Sequence, residues 1–232
     1  MNMALPFLHI LSAVLNSFVL WYDQKYVNVS FRNNLDGYPF RNRILFLTMW
    51  NLALQTIYMW IAFINDLIGT NEPSPRKPSF IRQVKDAIFI IAFPLGVYVS
   101  LAFWGIYAVD KNLIFPEHLA KVYPPWINHT LHTFVSVFIT IEMFTSHITY
   151  PGRKFGQALI NLFIVTYLVW IFIVYYQTTV WVYPVLEYMN WPVRIMFMGG
   201  SIALSNAFYL LSEKLNKILK SSSNVNTKRK VK

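Results

Sequence analysis

Six stretches of this chain are long and apolar enough to cross a hydrocarbon core of about 30 Å: residues 4–22, 44–68, 87–109, 126–146, 156–176 and 193–211. Inside lipid a backbone N–H or C=O finds no water. A spanning segment must therefore close its own hydrogen bonds as a helix or join a barrel. The two-residue alternation of a barrel strand is absent. The sequence thus predicts an all-α polytopic membrane protein, a bundle of six transmembrane helices. The first stretch holds Pro6, His9 and Asn16. It lacks a basic leader and a small-residue cleavage site, so it reads as a retained anchor. Pro94, inside the third, predicts a kink there.

Charge sets the orientation. Only 13% of residues are charged, about half the roughly 25% of a soluble domain. On the side of both termini lie Arg76, Lys77, Arg82, Lys85, Arg153, Lys154, Lys214, Lys217, Lys220, Lys228, Arg229, Lys230 and Lys232. The opposite side has Lys25, Arg32, Arg41, Arg43, Lys111, Lys121 and Arg194. The basic excess belongs inside, so both termini are expected to be cytoplasmic. The net charge of +10 is concentrated in the tail. It points to an anionic membrane surface, because nucleic-acid binding would need a basic soluble surface. There are no cysteines, which excludes disulfides and thiolate metal sites.

Two units follow: a transmembrane domain, 1–220, and a Ser-rich then basic tail, 221–232, expected to be disordered. Residues 69–79, with Gly69, Pro73, Pro75 and Pro78, read as a turn-rich loop. Lys228 and Lys230 fall at the fifth- and third-last positions. They match a K-x-K-x-x retrieval signal, so the expected location is the endoplasmic reticulum, the plasma membrane, or both.

Within the apolar segments, polar side chains form two stripes. Thr48, Asn51 and Gln55 recur at i, i+3, i+7 on the second segment. Asn128, His132, Ser136 and Thr140 recur every fourth residue on the fourth, with His129 beside them. Such groups turn toward a bundle interior or a cavity. At 1.5 Å rise per residue, Thr48 and His132 both lie roughly 6–9 Å below the non-cytoplasmic surface. A hydroxyl and an imidazole at one depth are the parts of a nucleophile and its base. The competing role for Thr48 is a hydrogen bond to the carbonyl one turn back. Asp66, Glu142 and His147 gather at the cytoplasmic end. Glu142 lies about 15 Å along the axis from His132, too far to orient it, and reads as part of a structural network. His129 and His132 could share a metal, but a third ligand such as His147 would be about 22 Å away. A haem between helices would need His at equal depth on facing helices, and His9 lies toward the other end. No cofactor or metal is expected.

Phe46-Leu47-Thr48 followed by Asn51-Leu52 and Gln55, and Trp126-Ile127-Asn128-His129-Thr130-Leu131-His132-Thr133, resemble stretches of the androgen-induced and androgen-dependent TFPI-regulating family. Ala92-Phe93-Pro94, Phe103-Trp104, Ile141-Glu142-Met143, Thr145-Ser146-His147, Trp181-Val182-Tyr183-Pro184 and Tyr209-Leu210-Leu211 match in the same order. The resemblance covers the chain from the second helix onward. It implies a multipass threonine hydrolase that cleaves fatty acid esters of hydroxy fatty acids, with Thr48 as nucleophile and His132 as catalytic base. The expected partners are the membrane and that lipid substrate.

As an expectation, His132 takes the Thr48 proton while the oxygen attacks the ester carbonyl, giving an acyl-threonine that water hydrolyses. Asn51, Asn128, His129 and Ser136 are candidates for support, with Asn51 or Asn128 for orienting the ring or holding the oxyanion. Arg41, Arg43, Lys121 and Trp126 all stay open as holders of the substrate's free carboxylate. The rival readings are a non-enzymatic transporter, in which the stripes line a conduit, and a membrane scaffold whose basic tail recruits partners.

Overall fold

The computed structural model describes residues 4–29, 35, 37–73 and 75–230, without the side chains of 221–230. Arg32 and Lys232 of the charge count, and the side chains of Lys228, Arg229 and Lys230, lie outside the described part. The helices are α1 (Ala4–Tyr26), α2 (Leu47–Ile68), α3 (Phe80–Val109), α4 (Glu117–Ala120), α5 (Pro125–His129), α6 (Val135–Thr145), α7 (Arg153–Thr178), α8 (Pro184–Glu187) and α9 (Trp191–Lys230). No strand occurs among the described residues. The protein is an all-helical polytopic membrane protein: α1, α2, α3, α7 and α9 are each long and apolar enough to cross a bilayer. The fourth expected span is present as three pieces in series. α5 runs into a π-helical turn at Thr130–Phe134 and then into α6. Residues 221–230, expected to be disordered, continue α9 as helix. Once a helix exists, each added residue gains a hydrogen bond without a new nucleation cost.

Burial is inverted relative to a water-soluble protein. Phe7, Leu162 and Met196 are 65%, 66% and 74% exposed, whereas His9, Lys85 and Glu142 are fully buried. Lipid is the outer solvent for the first set, and the second set must find partners inside.

α3 is the hub, packing on α2, α6, α7 and α9, while α1 lies along α2. It begins at Phe80 rather than at 87, because Ser79 caps it by accepting the Arg82 N–H. Arg82 and Lys85, counted above as loop charges, are therefore inside α3 and buried. They survive there because each is paired. Arg82 grips Asp86 at 2.9 Å, and Lys85 lies 2.8 Å from Ser146 and 3.6 Å from Glu142.

One apolar cluster joins α1, α2, α3 and α6 around Tyr58, Phe89 and Met143. A second holds Tyr167, Ile171, Trp181 and Leu186; a third holds Val19, Leu52, Ile127 and Leu131. Phe46 packs against both the second and the third. The residue just before α2 thus sits where the two meet.

Candidate active site

Three consecutive non-glycine residues with positive φ lead into α2: Phe40 (53°), Arg41 (51°) and Asn42 (68°). Left-handed backbone costs an L-residue roughly 1–2 kcal/mol, so neighbours must impose it. Asn42 Oδ1 accepts the Tyr38 N–H at 2.8 Å, and Gln24 donates to Phe40 O at 3.1 Å. Buried Arg43 donates to Asp23 at 2.5 Å and to Val27 O at 2.8 Å, tying the turn to the end of α1. A 3-10 turn at Arg43–Leu45 and an extended Phe46 follow. Helix α2 then starts at Leu47, so Thr48 is its second residue rather than the fifth of a segment starting at 44.

That position answers the competing role for Thr48. The carbonyl one turn back belongs to Ile44, and two indoles occupy it: Trp50 Nε1 at 2.7 Å and Trp170 Nε1 at 3.0 Å. Elsewhere in the chain Thr56, Thr130, Thr145, Thr166 and Thr178 do donate to the carbonyl four residues back. Thr48 Oγ1 instead lies 3.3 Å from His132 Nε2.

His132 stands in the middle of the π turn. A π turn widens the helix and releases carbonyls from the i→i+4 ladder. Asn128 O is 3.0 Å and Asn128 Oδ1 2.9 Å from His132 Nδ1. A backbone carbonyl can only accept, so Nδ1 carries the proton and Nε2 presents its lone pair to Thr48. The Phe103 ring lies flat on the imidazole, centroids 3.5 Å apart and planes 9° from parallel. Trp104 Nε1 donates to His132 O and to Thr133 Oγ1, both at 3.1 Å. Ring and backbone are both held.

The other candidates take different places. Asn128 orients the imidazole. Asn51 is buried one turn deeper on α2, near Gln55, and lines no cavity beside Thr48. His129 is exposed, stacked on Trp104 at 5.4 Å. Ser136 donates to Thr133 O at 2.8 Å, because the π turn breaks the four-residue register past His132. Arg41 is exposed and donates to Gln24 O and Asn28, and Arg43 holds Asp23. Lys121 pairs with Glu117 at the surface, and Trp126 stacks on Phe18. None of these four lines a cavity beside Thr48.

Two cavities meet at Thr48. One, about 100 Å³, runs between α3, α7 and α9 past Leu95, Ile164 and Met198. The other, about 70 Å³, runs past Met49, Phe115, Leu119 and Leu131 and contains His132. Thr48, Phe103, Ile114 and Tyr183 line both. A third, of about 40 Å³, shares Phe46, Ile114, Leu119 and Tyr183 with the second and reaches His118 on α4. His118 and Tyr183 entered no stripe, since each lies outside the long apolar segments.

Helix content, lipid-facing apolar surface and a half-buried hydroxyl–imidazole contact define a polytopic membrane protein with an internal polar site. The chain belongs to the FAR-17a/AIG1-like protein family, whose model matches residues 5–217. That match takes in α1, which the motif resemblance did not cover. The chain is similar to the androgen-induced gene 1 protein of Homo sapiens, 39% identical over 178 residues, 74% of this chain and 75% of that one. It is also similar to the androgen-dependent TFPI-regulating protein of Rattus norvegicus, 34% identical over 176 residues, 75% of this chain and 76% of that one. A membrane protein of Schizosaccharomyces pombe is 21% identical over 166 residues, 71% of each chain. No solved structure matches the chain significantly.

Proposed function

We propose that the protein is a six-span intramembrane hydrolase, with both termini in the cytoplasm, that cleaves the ester bond of fatty acid esters of hydroxy fatty acids. The observation that carries this reading is the 3.3 Å approach of Thr48 Oγ1 to His132 Nε2 where two apolar cavities meet. Such an ester extends a hydrocarbon arm on each side of its carbonyl, and one cavity takes each arm. A conduit would need polar lining through the midplane, whereas side chains around Thr48 are mainly apolar. In this reading His118, which lines the third cavity, meets the free carboxylate. The protein resides in the endoplasmic reticulum, the plasma membrane, or both.

In this reading Thr48 gives its proton to His132 Nε2 as Oγ1 attacks the carbonyl carbon. His132 returns that proton to the departing hydroxy fatty acid, leaving an acyl-threonine. Water, deprotonated by the same nitrogen, attacks the acyl carbon and releases the fatty acid and Thr48. Asn128 stabilises the imidazolium through Nδ1, the place a carboxylate holds in a Ser-His-Asp triad.

The test is turnover of a hydroxy-fatty-acid ester by purified wild type, Thr48→Ala, His132→Ala and the double variant. Each single change should cost roughly 10³-fold or more, and the double no more than either, because the pair acts as a unit. A fluorophosphonate probe should label wild type and Ser136→Ala but not Thr48→Ala. Folded wild type inert to both ester and probe would end the reading.

A further inference from the structure

The stretch Trp181-Val182-Tyr183-Pro184 has no part in the chemistry so far, yet Tyr183 lines all three cavities. We propose that the Tyr183 hydroxyl and the backbone N–H of Thr48 together form the oxyanion hole. The inference rests on the reading of Thr48 as nucleophile.

The first four N–H groups of a helix have no partner within it and point out of its N-terminal end. In α2 three of the four are taken. The Leu47 N–H reaches Tyr167 Oη at 3.0 Å and Tyr183 Oη at 2.9 Å. The Met49 and Trp50 N–H groups share Phe46 O, at 3.0 and 3.3 Å. The Thr48 N–H has no acceptor among the described residues. An unsatisfied amide in an apolar interior costs several kcal/mol, so a persistent one marks a place where an acceptor arrives later.

Tyr183 supplies the second donor. Its oxygen accepts from the Leu47 N–H at 2.9 Å and lies 2.9 Å from the Tyr167 oxygen, whose single proton also has Leu45 O at 2.9 Å. A phenol has one proton and a backbone carbonyl only accepts, so with the Tyr167 proton on Leu45 O that of Tyr183 rests on Tyr167 Oη and turns into the cavity when an anionic, stronger acceptor arrives. The cavity that Tyr183 shares with Thr48 is where that acceptor would lie. Burial pushes the Tyr183 phenol up to about 12, against the opposing pull of the Tyr167 and Leu47 hydrogen bonds. It therefore stays a neutral donor through the physiological range.

When Oγ1 attacks, the carbonyl oxygen gains a full negative charge and must lie beside the nucleophile's own amide. That amide points back toward Leu47, where the Tyr183 hydroxyl already sits. Asn51 lies one turn the other way, and Asn128 is committed to the imidazole. A nucleophile's own amide plus a second donor is the arrangement serine proteases use. Here the second donor is a phenol.

Tyr183→Phe removes one hydroxyl. It should lower kcat about 10²–10³-fold, the cost of one oxyanion donor, with KM within about threefold. A trifluoromethyl ketone analogue, which mimics the tetrahedral adduct, should lose affinity in parallel; a non-hydrolysable ether analogue of the ester should not. Should Tyr183→Phe fail to fold, 3,5-difluorotyrosine at 183 keeps the shape, and its activity should fall off with rising pH at a lower pH than wild type. Wild-type turnover that Thr48→Ala abolishes but Tyr183→Phe retains within threefold would overturn the oxyanion assignment alone. Equal loss of ether and ketone affinity would also overturn it, by showing a structural role. Wild type unable to cleave the ester would overturn it together with the hydrolase reading.

Discussion

Glu142→Gln should cost stability and spare chemistry. Glu142 is fully buried, with Oε1 2.6 Å from the Tyr58 hydroxyl and 3.6 Å from Lys85 Nζ, and Oε2 2.7 Å from His9 Nε2. His9 Nδ1 lies 2.6 Å from Asp66. Ionised carboxylates only accept, so both ring nitrogens of His9 donate and the ring is cationic. Glutamine puts an NH₂ against one of these donors whichever way it turns, and leaves His9 and Lys85 short of a counter-charge. Breaking one side of a buried pair costs about 3–5 kcal/mol. At roughly 2–4 °C per kcal/mol for a chain of this size, the midpoint should fall by about 6–20 °C, read by tryptophan fluorescence in detergent. Residue 142 is about 15 Å from His132 along the helix, so turnover per probe-labelled molecule should be unchanged at a temperature where both proteins are folded. A midpoint within about 2 °C of wild type would refute the clamp. A tenfold loss of turnover per labelled molecule would refute its separation from the site.

Trp50→Phe with Trp170→Phe strips both indole donors from Ile44 O and offers that carbonyl to Thr48. A competing bond of about 1 kcal/mol should lower kcat roughly fivefold, read in the ester assay at saturating substrate. Ser201→Phe narrows the cavity between α3, α7 and α9, whereas Leu119→Phe narrows the one beside His132. Each should shift preference toward a shorter chain on one side of the ester only, by about 0.8 kcal/mol per excluded methylene, or about fourfold in kcat/KM. Both variants shortening the same arm would argue against one cavity per arm.

The apolar runs placed every long helix, and the matched depth of Thr48 and His132 anticipated their contact. The polar stripe on the fourth segment was legible only as far as His132. A periodicity argument assumes an unbroken α-helix, and the π turn at Thr130–Phe134 rotates Ser136 out of line. The same turn splits the fourth segment, which is why five helices rather than six are continuous and long among the described residues. The start of α2 slipped from 44 to 47 because Phe40, Arg41 and Asn42 turn left-handed, a conformation that tertiary bonds from Gln24 and Asp23 impose. In α1, His9, Ser12, Asn16 and Asp23 are buried along one face. Their spacing was visible, but the role of His9 depended on partners 57 and 133 residues away, and that of Asp23 on Arg43, 20 residues on.

The two polar clusters differ in one property that decides what each does. At the end holding His9, Asp66, Lys85 and Glu142, the donors and acceptors close on one another. Asp66 also accepts from Asn71 at 2.6 Å, Lys85 reaches Ser146, and Arg82 spans Asp86, Thr70 O and His147 O. A closed network in a low-dielectric interior fixes one packing of helices and has nothing left to offer a ligand. At the other end the count does not close: the Thr48 amide has no acceptor among the described residues, and the Tyr183 hydroxyl and the His132 imidazole both lie beside Thr48. In lipid, that surplus persists only if binding or reaction satisfies it in turn. α2 joins the two ends, with Thr48 in its first turn and Tyr58 and Asp66 further along. A helix locked by its far half is a rigid mount for its first turn, and a preorganised oxyanion site needs such a mount.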